Sequence, residues 1–333
     1  MEYFLIRDCW EIVLSFMIGH KHYEGTIEKW KLYMLQMICE QNKDELVEMM
    51  RINKYNKLKE NDLERISLDI YRNSRLLFNV ISYATNIRAL YLYNERIRVK
   101  ELAYCLQKNT NISCISMNCS NIEHVFYLYN PLVNPKTKLK YLWLGHNHIS
   151  DIILLGRALK KNEILTDLDL ESNQIIDIDD FMCSITYNNT LERLMLGSNK
   201  ISNVYCLSDY LRFNICLKAL YLSNNPLWNI NGIVEGIKYN VSLETLSLNN
   251  CNIHSISSLV DSLIHNNTLK NLELGDNYIT DIFPFLKLFK HTRAMETIKL
   301  KNNRMSYEHK RRFFEQWYLD KQTQDSIYLN LLM

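Results

Sequence analysis

Apolar residues recur along this chain in one fixed phrase. It reads Leu139-x-x-Leu142-x-Leu144-x-x-Asn147-x-Ile149 and returns at Leu165, Leu191, Leu217, Leu243, Leu269 and Met295, each 26 residues after the last. Weaker copies precede it, Leu63-x-x-Ile66-x-Leu68, Ile87-x-x-Leu90-x-Leu92 and Ile112-x-x-Ile115-x-Met117, at spacings of 24, 25 and 27. About ten units result, and self-similarity at such a period signals stacked units that bury their apolar faces only against neighbours. Leu142 and Leu144 are two apart, so both point to one face of a short strand. The second half of each unit changes period. Ile152, Leu155 and Leu159 are spaced i, i+3, i+7, as are Ile178, Phe181 and Ile185, Val204, Leu207 and Leu211, and Ile256, Leu259 and Leu263. That spacing predicts a short helix packing back onto the sheet through a right-handed crossover.

Two asparagine columns run through the repeat. Asn147, Asn173, Asn199, Asn225, Asn277 and Asn303 follow the strands, with Cys251 taking the place once, and an amide there can satisfy backbone groups of its own and the neighbouring unit. Asn109, Asn162, Asn188, Asn214, Asn240 and Asn266 end the helices, where a left-handed backbone that asparagine tolerates would terminate them. The first three units carry Tyr71, Glu95 and Ser120 in place of the strand-end asparagine, which predicts less regular loops. Between Met117 and Leu139 the helical spacing fails and Pro131 and Pro135 appear, which predicts a loop bulging from the stack.

The phrase resembles the leucine-rich-repeat signature, and its length and helical half are most similar to the ribonuclease-inhibitor-like type, over about residues 60 to 305. The resemblance implies an α/β solenoid, a horseshoe with a parallel sheet on the concave face and short helices on the convex one. Residues 1–60 lie outside the repeat and read as a helical cap, with stripes at Trp10, Val13, Leu14 and Met17, at Ile27, Trp30, Met34 and Met37, and at Leu46, Met49 and Met50. The same segment resembles an F-box through Leu5, Asp8, Trp10, Val13, Leu14 and Trp30, with Ile6 in place of the usual proline. That resemblance implies docking to a Skp-type adaptor through Leu5, Trp10, Leu14 and Trp30. Both readings of the segment stay open. Residues 61–305 form the solenoid, and 306–333 a second cap, with a helix over Tyr307 to Leu319 and a last strand over Ser326 to Leu331.

Composition narrows the function classes. Hydrophobic residues make up 47% and charged residues 23%, enough apolar material for a continuous core. With 39 basic against 37 acidic side chains the net charge is +2, so no global field drives the chain onto nucleic acid or an anionic membrane. The nine cysteines are an odd set without a CxxC pair, which argues against a disulfide framework or zinc site and for a reducing, cytoplasmic setting. Sequons such as Asn188-Asn189-Thr190 and Asn240-Val241-Ser242 read as by-products of an asparagine-rich sequence.

Enzyme motifs are missing: no Gly-rich phosphate loop, HExxH or GxSxG appears, and no cofactor or metal is implied. Asp167, Asp169 and Glu171 share a sheet face but lack the glycine and distal Glu of a calcium loop. Lys299, Lys301, Arg304, Lys310, Arg311 and Arg312 make a basic corner that reads as a solvated cap face. Function is expected on the outward side chains of the sheet: Tyr91, Tyr93, Tyr141, Trp143, Asp167, Asp169, Glu171, Arg193, Met195 and Tyr221, centred on Trp143, Asp169 and Tyr221. Aromatics, Arg and Met are enriched in protein interfaces. The expectation is a monomeric, non-catalytic scaffold that binds a protein. An F-box receptor of a ubiquitin ligase is the alternative, and an enzyme inhibitor such as a nuclease inhibitor, suggested by fold alone, is the weaker third.

Overall fold

The computed structural model describes residues 65–67, 78, 81–82, 88–92, 97–291, 294–321 and 330–332. The chain forms two compact units, Met1–His148 and Ile149–Met333. In the first, β1 (Arg65–Ser67), β2 (Ala89–Tyr91), β3 (Cys114–Ser116) and β4 (Tyr141–Trp143) pair in parallel, each with the next. In the second, β5 (Asp167–Asp169), β6 (Arg193–Met195), β7 (Ala219–Tyr221), β8 (Thr245–Ser247), β9 (Asn271–Glu273), β10 (Thr297–Lys299) and β11 (Asn330–Leu332) do the same.

The period-two pattern sets the core. The middle residue of every strand from β2 to β10 is fully buried, from Leu90 through Leu194 to Ile298. The helical stripes close the other side: Ile152, Leu155 and Leu159 are buried, as are Ile178, Phe181 and Ile185 and the later sets. The crossover helices are short: Asp179–Ile185 and Ser257–Leu263, for example, have seven residues each, about two turns. A third polar column starts these helices. Asp151, Asp177, Asn203, Asn229 and Asp281 each accept the backbone N–H two residues on, at 2.7–3.0 Å, supplying an acceptor to an N–H near the helix start that has no intrahelical partner. Helix Asn231–Ile237 lies so close to helix Leu207–Phe213 that a Cβ on Gly232 would sit 2.1 Å from the Val204 carbonyl oxygen, and one on Gly236 2.8 Å from that of Leu207.

The strand-end asparagines form the anticipated ladder. Asn199 donates to the carbonyls of Leu170 in the preceding repeat and of Leu196 in its own, at 2.9 and 3.0 Å, while its oxygen accepts from Ile175 N–H at 3.0 Å. Cys251 stands in through its thiol, 3.3 Å from the Leu222 carbonyl, and burial pushes that thiol up to about 11. Ser120 takes the asparagine's place in the third unit, whose loop is left-handed on both sides of it, at Cys119 (φ 56°) and Asn121 (φ 51°), where the asparagine-bearing repeats are left-handed on one side only. The Ser120 hydroxyl donates to the Leu92 carbonyl at 2.9 Å, which reproduces the donor half of the rung, and its N–H reaches Asn147 Oδ1 of the next rung at 2.9 Å.

The helix-end column does something other than the sequence suggested. None of its asparagines has positive φ, and Asn214 sits at φ −77°, ψ 128°. Its amide is a second ladder: Asn188 donates to the carbonyls of Leu159 and Asn162 at 2.7 and 3.0 Å, and accepts from Thr190 and Leu191 N–H at 3.1 and 2.8 Å. The left-handed positions are one residue before the strand-end column, at Cys119, His146, Ser172, Ser198, Asn224, Asn250, Asp276 and Asn302, with φ between 52° and 60°, and also one residue after it where Ser120 and Cys251 replace the asparagine, at Asn121 and Asn252. Asn188 and Asn240 are buried with their amides engaged, so the two sequons hold no accessible acceptor.

A further correction concerns Pro131. Residues Phe126–Leu128 and Tyr129–Val133 are helical, and Pro131 and Leu132 are buried. The proline occupies the first turn, where its missing N–H has no intrahelical partner to lose. The segment is packed, not bulging. At the far end, helix Tyr307–Lys321 buries Phe313 against Phe283, with ring centroids 6.0 Å apart, and against Phe289 and Trp317. The last strand begins at Asn330; residues 326–329, and the N-terminal segment with its cap and F-box readings, lie outside the described residues.

Candidate interaction surface

In the first unit the sheet face is aromatic. Register aligns Tyr91, Ser116 and Trp143 in one row across β2, β3 and β4. Ser116 is small and fully buried, because the rings from both sides lean over it: Tyr91 and Trp143 are two strands apart, yet their centroids are 6.4 Å apart. Tyr141 joins them two residues along its own strand, 6.3 Å from Trp143. All three aromatics are half-buried. Side chains held on strands and braced by one another present a fixed contact surface at little entropic cost. Tyr93 lies outside the described residues.

The second unit presents a graded row: Asp169, Met195, Tyr221, Ser247, Glu273 and Lys299. Asp169, Met195 and Tyr221 are half-buried and lie one strand apart. Asp167 departs from expectation. It is buried, ion-paired with Arg193 Nε and hydrogen-bonded by the Thr166 hydroxyl at 2.7 Å, because the long Arg193 side chain folds over it. Asp169 Oδ1 accepts the backbone N–H of Glu171 at 2.8 Å. Asp169 and Glu171 stay half-exposed and Arg193 exposed, but Asp167 is withdrawn from any partner.

Further along the row is a polar network that the sequence reading missed. The Ser223 and Ser247 hydroxyls are 2.7 Å apart, and the Ser247 hydroxyl donates to Glu273 Oε2 at 2.6 Å. Asn249 Nδ2 donates to the same oxygen at 3.0 Å, and Lys299 pairs with Oε1. Burial alone would raise the Glu273 carboxyl, but the hydrogen bonds from Lys299, Ser247 and Asn249 and the Lys299 charge outweigh it and hold the group below its ordinary value. The signal was available at the 26-residue period, since these positions repeat those of Asp169 and Glu171. Part of the basic corner is ion-paired. Glu308 takes Arg311 and Arg312, both at 2.9 Å, which lowers its carboxyl to about 2, and Arg304 covers the Tyr278 ring at 4.0 Å.

Among the described residues no cluster of His, Cys, Asp and Glu is arranged to hold a metal ion, and no helix is long and apolar enough to cross a membrane. The described cysteines are all free. No protein-family model matches the chain, nor does any curated protein. Among solved structures it is similar to an internalin from Listeria monocytogenes, with TM-score 0.52, 19% sequence identity and 90% of each chain covered. An internalin C2 from the same organism covers 68% of this chain and 75% of its own at 20% identity, with TM-score 0.39. Internalins are leucine-rich-repeat proteins, and the first likeness bears on fold: the chain has the α/β leucine-rich-repeat solenoid architecture.

Proposed function

We propose that the chain is a non-catalytic scaffold that binds another protein through its sheet face. The observation that carries this is the aromatic group of Tyr91, Tyr141 and Trp143, three mutually packed, half-buried rings that line the sheet face opposite the core. In the second unit the Asp169, Met195 and Tyr221 row offers a partner one carboxylate beside two apolar contacts. A partner with basic residues beside an apolar anchor fits that row. Affinity capture with the full chain as bait, in parallel with its Trp143→Ala variant, tests the proposal. A protein retained by the first bait and lost from the second supports it; identical retention on both baits refutes it.

A further inference from the structure

A second set of large apolar side chains stands in solvent away from the sheet face. In three consecutive repeats of the second unit the residue before the helix-end asparagine is Tyr187, Phe213 and Tyr239, which are 74%, 46% and 53% exposed. The residues directly after the second and third of these asparagines, Ile215 and Val241, are each 65% exposed. The asparagines between them turn inward to make the second ladder, so their chain neighbours must point out. The rings form a continuous strip: Tyr187 and Phe213 have centroids 6.3 Å apart, and the Arg212 guanidinium lies 5.5 Å from the Phe213 centroid and 5.0 Å from that of Tyr239. Lys238 Nζ is 5.5 Å from the Tyr239 ring. Among the described residues neither Arg212 nor Lys238 has a carboxylate partner. In the neighbouring row, Glu192 and Glu244 are already engaged by Lys218 and Lys270 at 2.9 and 2.8 Å.

We infer that this strip is a second docking surface, independent of the sheet face, for an acidic amphipathic helix of another protein. The apolar rings and branched side chains require apolar cover, and the two uncompensated cations require carboxylates. The 6.3 Å step between Tyr187 and Phe213 is close to one helical turn, about 5.4 Å, so a helix laid across the repeats would set apolar residues spaced i, i+3 or i+4, and i+7 on successive rings. A second copy of the chain fits poorly, since it would set Arg212 and Lys238 against their own kind. Single-stranded nucleic acid needs open, parallel ring faces; here Arg212 covers two rings, and Tyr187 and Phe213 are inclined at 38°.

The test uses the full chain and a fluorescein-labelled model helix with leucine along one face and glutamate elsewhere, followed by anisotropy. Two controls accompany it: the same helix with lysine for glutamate, and oligothymidine. The acidic helix should bind best, more weakly as salt rises, and Arg212→Glu with Lys238→Glu should weaken it by about tenfold or more. Phe213→Ser with Tyr239→Ser should do the same, and because these side chains are exposed the far-UV circular dichroism should not change. Trp143→Ala should leave this binding intact, which separates the strip from the sheet-face proposal. Equal binding of the lysine helix, stronger binding of oligothymidine, or indifference to the charge reversal overturns the inference.

Discussion

Replacing Asn214 removes one complete rung of the helix-end ladder, and the size of the effect can be worked from its bonds. Asn214 Nδ2 donates to the Asn188 carbonyl at 2.9 Å and to that of Thr186 at 3.3 Å, and Oδ1 accepts from Leu217 N–H at 2.8 Å and Cys216 N–H at 3.0 Å. In Asn214→Ala the Leu217 N–H stays buried without an acceptor, costing about 1–3 kcal/mol, while the half-exposed Cys216 recovers water and contributes less. With the carbonyls the loss comes to about 2–4 kcal/mol. Asn214→Gly discriminates between explanations. Since the backbone here is extended, glycine loses the same bonds and roughly 0.5–1 kcal/mol more through its larger unfolded-state freedom. A left-handed helix cap predicts the reverse order, with glycine more stable than alanine. Urea titrations of the three proteins, read by circular dichroism at matched slopes, decide the matter. A glycine variant as stable as wild type, or more stable than the alanine variant, would refute the ladder.

Other perturbations test other parts of the account. Arg193→Ala should destabilise by about 1–3 kcal/mol by stranding the buried Asp167, and Asp167→Asn in the same chain should recover much of it; no recovery would place the loss elsewhere. Leu194→Ala should cost about 2–5 kcal/mol, whereas Met195→Ala on the opposite face should cost clearly less in the same titration. Tyr210→Phe should be neutral or stabilise by about 1 kcal/mol, because among the described residues this fully buried hydroxyl has no partner and burial drives its ionisation far up; a loss of comparable size would reveal a bond to the hydroxyl. If residues 5–32 act as an F-box, Trp10→Ala with Leu14→Ala should abolish co-purification of a Skp-type adaptor, and failure of the unaltered chain to capture one removes that reading.

Much of this architecture was legible because the repeat carries its own checks. Leu142 and Leu144, and Ile152, Leu155 and Leu159, report two different periods, and both point to the same interior. The asparagine at the helix ends was visible, but its mechanism was not: a left-handed cap and a donor–acceptor ladder select the same residue type, and only the backbone angles at Asn214 separate them. Pro131 read as a breaker because spacing does not show which turn of a helix a proline occupies. Asp167 was placed on the correct face and still misjudged, since alternation gives direction while burial depends on the reach of Arg193 one strand away. Tyr187, Phe213 and Tyr239 repeat at 26 residues as plainly as the leucines do, yet that column was passed over for the sheet face.

The central claim is that a partner protein is held on the sheet face, and the affinity of a captured partner for Trp143→Ala measures it most directly. Trp143 is half-buried among Tyr91 and Tyr141 rather than in the core, so truncation should remove contact area and leave the fold intact. Calorimetric titration should show binding weakened by on the order of 2 kcal/mol or more, with the thermal midpoint nearly unchanged. Unaltered affinity, or a loss of affinity that merely follows a collapse of the thermal midpoint, would contradict the account.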